Sequence, residues 1–238
     1  MSKVYANPEA FAQALKARVK SHARDTNVGF NRALQIVLFE RFLERVYSVL
    51  GDAAILKGGL AMELRLTRAR TTIDIDMRVE GDLDEIIELL HREVGRQKDD
   101  YLTFSFIGAE DFQEMLGAQV VYGGRRLRVQ AELAGRRFGS IFKLDLSLSD
   151  KLVLPPDIVE GSDLLGFIDV KPVWHRVYPI EAHLAEKLHA MTMAYDGAPS
   201  GRVKDLVDTG LLARHDRYLA LRQVLPGPGP GPGPACSM

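Results

Sequence analysis

The segment from Thr72 to Val79 alternates between polar and apolar residues at every position. Its apolar members are Ile73, Ile75, Met77 and Val79, and its polar members are Thr72, Asp74, Asp76 and Arg78. Successive side chains of a strand point to opposite faces, so this pattern predicts a half-buried strand. The fold must therefore cover one face of a sheet and leave two carboxylates together on the other face.

Periodic patterns elsewhere predict helices on either side of further strands. The predicted helices begin at Asn7-Pro8 and cover Phe30–Leu50, Ala61–Leu66, Asp84–Val94, Ile180–Tyr195 and Arg202–Leu212. The predicted strands are Ala53–Leu56, Thr72–Val79, Tyr101–Ile107, Leu127–Leu133, Ile141–Leu148 and Trp174–Tyr178. A turn is expected over Ala134–Gly139, and a loop after Pro155-Pro156. The order of these elements indicates an α+β fold, a mixed β-sheet flanked by helices.

We expect four parts along the 238 residues. Residues 1–51 are an N-terminal helical segment packed on the core, and residues 52–178 are that core. Residues 179–225 form a C-terminal helical region, and residues 226–238 are a flexible tail rich in Pro and Gly.

Composition excludes several classes of protein. No apolar run approaches the roughly 18 residues that a membrane span needs, and the N-terminus shows no apolar signal region. These features predict a cytoplasmic protein without a membrane partner. The single cysteine, Cys236, excludes disulfides and cysteine-rich zinc sites within this chain.

The net charge of −1 requires that any nucleic acid be held by a local basic patch. Five arginines surround a predicted hairpin: Arg125, Arg126, Arg128, Arg136 and Arg137. They could bind RNA phosphates, or they could simply blunt a solvated strand edge.

Asp74 and Asp76 are candidate metal ligands. Two carboxylates on one strand face repel each other unless a cation lies between them. Mg²⁺ takes such oxygen ligands together with substrate phosphates. Asp145 lies on a later alternating strand, and if the two strands are neighbours, the three acids could hold two Mg²⁺ ions for an in-line phosphoryl displacement. The alternative is a solvated strand face without a ligand.

The double glycine Gly58-Gly59, preceded by Lys57, closes one predicted strand and opens a helix. Glycines at such a junction let backbone N–H groups approach a phosphate, and a helix N-terminus favours anions. A tight turn with no ligand is the alternative interpretation.

The stretch LKGGLAMELRLTRARTTIDIDMRV closely resembles the signature of AbiEii-type nucleotidyltransferases, the toxins of bacterial toxin–antitoxin and phage-abortive-infection systems. Their wider class has the DNA-polymerase-β-like nucleotidyltransferase fold. Similar motifs are present upstream at Phe39–Arg45 and downstream at Ala185–Ala190 and Arg202–Asp208, so the resemblance covers roughly residues 30–212. The chain departs from the family at Leu60, where Thr or Ser is frequent.

The resemblance implies a complete set of site residues. The implied catalytic residues are Asp74, Asp76, Asp145, Lys187 and Asp205, of which the first three also bind the metal. The implied nucleotide-binding residues are Lys57, Gly58, Gly59, Arg70, Thr72, Lys187 and Asp208. Without the resemblance, Lys187 could equally be a surface lysine, and Asp205 the partner of Arg202 within a helix.

The resemblance also implies the reaction. An NMP group passes from an NTP to an RNA acceptor, with the 3′ end of tRNA as the expected acceptor, and pyrophosphate leaves. The expected cofactor is Mg²⁺ or Mn²⁺, and the expected partner is a cognate antitoxin. Two alternatives stay open: a phosphotransferase on the same fold, and a nucleotide- or RNA-binding module without activity.

Overall fold

The computed structural model describes residues 5–66, 72–116, 119–148, 152, 154–192, 194–195, 198–199 and 203–213. The predicted tail at 226–238 lies outside these residues. The helices are α1 (Pro8–Asp25), α2 (Phe30–Leu50), α3 (Gly58–Arg65), α4 (Leu83–Val94), α5 (Ile180–Thr192) and α6 (Val203–Ala213). Short 3-10 turns cover Gly51–Ala53 and Gly166–Ile168.

The strands are β1 (Ala54–Lys57), β2 (Asp74–Val79), β3 (Leu102–Leu116), β4 (Gln119–Leu133), β5 (Arg136–Arg137), β6 (Phe142–Leu148), β7 (Asp157–Glu160), β8 (Trp174–Val177), β9 (Ala194–Tyr195) and β10 (Ala198–Pro199). The main sheet has the order β3-β4-β6-β2-β1-β8-β7, with β5 paired to β4. Strand β2 is parallel to β6 and antiparallel to β1, so the sheet is mixed, as predicted.

The first two helices follow directly from local sequence. Asn7 caps α1, its Oδ1 accepting a hydrogen bond of 2.8 Å from the backbone N–H of Ala10, and Pro8 occupies the first turn. Helix α2 has the predicted bounds. Side chains from both helices share one hydrophobic core with the apolar face of the sheet. The opposite, polar face is left for charged residues.

Several predicted elements differ from the structure. Strand β2 begins at Asp74 because the chain bends at Ile73, which is 63% exposed, while Thr72 is buried. Arg78, expected on a polar face, is also buried and pairs with Glu80. Position within the sheet therefore overrides the simple alternation at both ends of this strand.

The remaining differences concern strand pairing. Strands β3 and β4 are each 15 residues long because they pair as one hairpin well beyond their apolar stretches. The short strands β5 and β7 lie where a turn and a loop were predicted. Helix α5 ends at Thr192 rather than Tyr195, since Ala194–Tyr195 pairs with Ala198–Pro199 ahead of a proline.

Candidate active site

The two carboxylates of β2 lie on the polar face of the sheet, where the alternation placed them. Asp74 and Asp76 are half-buried, and Ile75 between them is fully buried in the core. Their side chains point to the same side because they are two residues apart in one strand. No hydrogen bond or ion pair from the described residues reaches the carboxylate of Asp74.

A row of charged residues crosses five strands of this face in register. Lys57 of β1 is the cross-strand partner of Asp76, and Asp76 is the partner of Asp145 on β6. Asp145 is in turn opposite Arg126 of β4, which is opposite Glu110 of β3. Strands β2 and β6 are thus neighbours, which was the condition for Asp145 to lie beside Asp74 and Asp76.

Asp145 is held by Arg126, one of the five arginines for which the sequence left open RNA binding or a charged strand edge. Nε and Nη2 of Arg126 donate to the two carboxylate oxygens of Asp145 at 2.8 and 2.7 Å. These hydrogen bonds raise the pKa of Arg126. Glu110 lies 3.5 Å from the same guanidinium, which is also 5.7 Å from the centroid of the Phe112 ring.

The pairing of Asp145 with Arg126 bears on whether Asp145 can share a metal ion with Asp74 and Asp76. Arg126 lies on the opposite side of β6 from Asp76, so both oxygens of Asp145 are engaged away from β2. Within the described ranges, no three Asp, Glu, His or Cys side chains are grouped so that they could hold one metal ion. Two carboxylates do fit Mg²⁺, which commonly takes one or two together with substrate phosphates. Asp74 and Asp76 supply that pair.

The double glycine brings the start of α3 against β2. Gly58 has a φ of 69°, and a Cβ there would overlap the carboxylate of Asp76. A Cβ on Gly59 would lie 2.8 Å from the Cβ of Thr72. The glycines are therefore required for packing against β2, whether or not a phosphate also binds their N–H groups.

Thr72 acts on the strand that follows it. Its hydroxyl donates to the carbonyl of Asp74 at 3.3 Å and accepts from the N–H of Asp74 at 3.5 Å. Arg32 of α2 hydrogen-bonds the Thr72 carbonyl and also pairs with Glu63 of α3. These contacts fix the chain where it enters β2; the predicted contact of Thr72 with nucleotide stays a prediction.

A second cluster of charge lies beside β1, where α5 and α6 meet α3. Nζ of Lys187 donates to Oδ2 of Asp208 at 2.9 Å, and Asp208 is only 1% exposed at its side chain. Nη2 of Arg65 binds Asp157 at 2.6 Å and the carbonyl of Tyr178 at 2.8 Å. Both predicted residues, Lys187 and Asp208, are thus brought together.

His183 lies within this cluster and was not predicted as functional. Its pKa is lowered to about 3, first by burial and then by the positive charges of Lys187, Arg65 and Lys57. The negative charge of Asp208 acts in the opposite direction and raises the pKa. No described residue forms a hydrogen bond with its Nδ1. Its position three residues before Glu186 gave no signal in sequence, because only the packing of α5 on α3 surrounds it with cations.

Two predicted residues lie wholly or in part outside the described residues. Arg70 lies outside the described residues. Asp205 belongs to α6, three positions before Asp208, and its side chain is likewise outside the description.

Comparisons with known proteins identify the family of the chain. Residues 41–225 match the family model described as "Nucleotidyl transferase AbiEii toxin, Type IV TA system". The fold is that of nucleotidyltransferases, a mixed sheet flanked by helices. The match spans more than half of the chain, which therefore belongs to the AbiEii family of nucleotidyltransferase toxins. No curated protein matches the chain.

Solved structures share the fold at low identity. MenT4, a nucleotidyltransferase toxin of Mycobacterium tuberculosis, has a TM-score of 0.50 and 16% identity over 73% of this chain and 57% of its own. JHP933 of Helicobacter pylori has a TM-score of 0.47 and 16% identity, with 77% of this chain and 68% of its own covered. ANT(2")-Ia, solved with adenylyl-2"-tobramycin, has a TM-score of 0.39 and 19% identity, with 80% of this chain and 95% of its own covered. The chain thus spans little more than half of MenT4.

In the described residues, no helix is both long enough and apolar enough to span a membrane.

Proposed function

We propose that this chain transfers an NMP group from an NTP to an RNA acceptor, with the 3′ end of tRNA as the expected target, and releases pyrophosphate. The observation that carries the proposal is the pair Asp74 and Asp76 on one strand face, with Asp145 in register on the next strand. Membership of the AbiEii family supports nucleotide chemistry at this pair.

The proposed cofactor is Mg²⁺, or Mn²⁺, held by Asp74 and Asp76 with the phosphates of the nucleotide. When bound, such an ion polarises the phosphoryl oxygens and offsets the charge that develops on them. Because Gly58 has no Cβ, the Asp76 carboxylate has room beside the start of α3. The N–H groups of that helix start would favour the phosphates of the nucleotide.

Asp145 is proposed to receive the proton of the acceptor hydroxyl. Its carboxylate is half-buried and accepts two hydrogen bonds from Arg126, which hold it in one orientation. Each oxygen of a carboxylate has two lone pairs, so Asp145 can also accept a hydrogen bond from the acceptor hydroxyl while Arg126 keeps it oriented. Glu110, 3.5 Å from Arg126, holds the guanidinium from its other side.

Lys187 is proposed to stabilise the leaving pyrophosphate, on which negative charge develops as its bond to the α-phosphate breaks. The pair with Asp208 holds the ammonium group on the side of the site next to β1. Asp205 is proposed to assist from the same helix as Asp208. The toxin family further implies a cognate antitoxin, which we propose as the physiological partner.

The test is incubation of the full chain with each labelled NTP, total tRNA and Mg²⁺, followed by mass analysis of the RNA. A gain of one nucleotide residue supports the proposal. A gain of one phosphate identifies the phosphotransferase alternative. No change in the RNA, with a folded protein and every NTP tried, refutes the proposed transfer to RNA.

A further inference from the structure

The carboxylates separate two groups of cations on the polar side of the sheet. The first, here called the β1 flank, consists of Lys57 on β1, Arg65 on α3 and Lys187 on α5. The second, the β4 flank, consists of Lys143 on β6 and Arg128 on β4, which are cross-strand partners. The order β4-β6-β2-β1 places the flanks on opposite sides of Asp74 and Asp76.

The β4 flank starts directly beside the metal-binding pair. Lys143 is the register partner of Asp74 on the neighbouring strand, and Arg128 continues the same row onto β4. Opposite Arg128 on β3 is Gly108, and the stem of Arg128 passes within 3.4 Å of the position that a Cβ would take there. The row thus runs from the carboxylates to the hairpin edge of the sheet.

The two cations of the β4 flank have no partners in the described part of the chain. Arg128 is exposed, Lys143 is half-buried, and no described residue gives either side chain a hydrogen bond or an ion pair. Their neighbours differ: Arg125 binds Asp111 and Asp84, and Arg126 binds Asp145. Of the arginines near the hairpin, those two are thus occupied by acids, while Arg128 is not.

The geometry of in-line displacement indicates which substrate approaches the β4 flank. The attacking oxygen and the leaving oxygen lie on opposite sides of the phosphorus. With pyrophosphate leaving towards Lys187 on the β1 flank, the acceptor hydroxyl must approach over β6 and β4. An RNA strand that ends there carries its phosphates along the row of Lys143 and Arg128.

We propose that Lys143 and Arg128 form the acceptor subsite, binding the phosphate backbone behind the terminal hydroxyl of the RNA. This inference rests on the proposed function for its substrate class and adds the direction of entry. The Lys143 position is two residues along β6 from Asp145, roughly 7 Å. A phosphate bound by Lys143 therefore lies next to the position of the reacting hydroxyl.

The experiment measures binding of labelled total tRNA to the full chain without NTP, as a function of salt. Each phosphate contact on a single strand contributes a slope of about 0.7 in log affinity against log salt, or about fivefold at 0.1 M salt. Lys143→Ala and Arg128→Ala should each lose about that much, and the double variant should lose about 25-fold. Matched controls are Arg136→Ala and Arg137→Ala, which remove exposed arginines of β5 whose register partners lie five and four positions along β4 from Arg128.

Steady-state transfer gives a second readout. The double variant should have a raised KM for tRNA, with the KM for NTP and the kcat at saturating tRNA unchanged. Thermal melts verify that these surface variants remain folded.

Three results would overturn the subsite: unchanged affinity and salt slope in the folded double variant, an equal loss in the Arg136 and Arg137 controls, or no binding of tRNA by the unsubstituted chain. If the unsubstituted chain binds tRNA through these residues but transfers no nucleotide, the proposed reaction fails and the subsite stands. If it transfers nucleotide and the double variant matches it, the reaction stands and the subsite fails.

Discussion

The β1 flank and the β4 flank carry the same sign of charge in very different surroundings. On the β1 flank, Arg65 and Lys187 are largely buried and held by Asp157 and Asp208. On the β4 flank, Arg128 is exposed and Lys143 is half-buried, and no acid of the described residues forms an ion pair with either side chain. Fixed charges suit a small group whose position controls the chemistry, because they need no reorganisation during the reaction. Cations that no acid holds in place suit a polymer that is bound at several phosphates.

The largest effect is expected at Asp76, which lies between the two flanks. Asp76→Ala removes a proposed metal ligand, so the loss of transfer should exceed the roughly 100-fold typical for losing a residue behind a ligand. The strand should remain paired because its apolar face is unchanged. A single-turnover assay with labelled NTP and Mg²⁺ measures the loss, with Glu88→Ala on the exposed side of α4 as the control. Equal turnover at matched Mg²⁺ would remove Asp76 from the site.

The second test compares what two ion pairs contribute to the free energy of unfolding. One is Lys187–Asp208 beside β1, and the other is Arg126–Asp145 between β4 and β6. Lys187→Ala leaves the buried carboxylate of Asp208 without its lysine and should cost about 3 kcal/mol. Arg126→Ala breaks a more exposed pair with Asp145 and should cost at most about 1 kcal/mol. Urea unfolding measures both. Equal costs would mean that the two sides do not differ in how firmly their cations are held.

Kinetics of the same lysine variant distinguish a structural role of Lys187, in holding α5 against α6, from a role in the reaction. We expect Lys187→Ala to lower kcat and raise the KM for NTP, whichever RNA is used. Asp208→Asn should retain the lysine charge and most of the NTP affinity. If the two variants lose NTP affinity equally, Lys187 acts only by holding α5 against α6.

A smaller effect is expected at the glycine that borders the β1 flank. Gly58→Ala adds a Cβ that overlaps Asp76 at a positive φ, so it should cost more than about 1 kcal/mol and disturb the carboxylate. Gly210→Ala is the matched control, because that exposed helical glycine has no atom near its Cβ position and should gain about 0.5–1 kcal/mol. Thermal melts compare the variants. A Gly58→Ala protein as stable and active as the parent would contradict the close packing against Asp76.

The last test concerns the effect of acid on the free energy of unfolding. His183 has a folded pKa of about 3, mainly because of burial, against an unfolded pKa of about 6.5. It is neutral in the fold, so its contribution is complete above pH 6.5 and is lost as pH falls from 6.5 towards 3. The loss is at most about 1.4 kcal/mol per pH unit. Urea unfolding at pH 7 and pH 5 should show a smaller difference for His183→Gln than for the parent; an identical difference would contradict the buried, neutral imidazole.

Much of this architecture can be predicted from the amino-acid sequence. The bounds of α2, the start of α1 and the core face of β2 follow from apolar spacing and capping residues, which act within a few positions. The same periodicity put Asp74 and Asp76 on one face, and a second alternating strand contributed Asp145. The family was recognisable because these motifs keep their order and spacing.

What joins the motifs was decided only by the tertiary structure. Arg126 binds Asp145 from 19 positions away, and Lys187 binds Asp208 from 21 positions away. Neither pair leaves a local pattern, because strand register and helix packing alone determine which distant side chains meet. The sequence determined which residues can carry charge on the polar face. Folding determined which of those charges are neutralised by a neighbour, since an ion pair depends on distance in space and not along the chain.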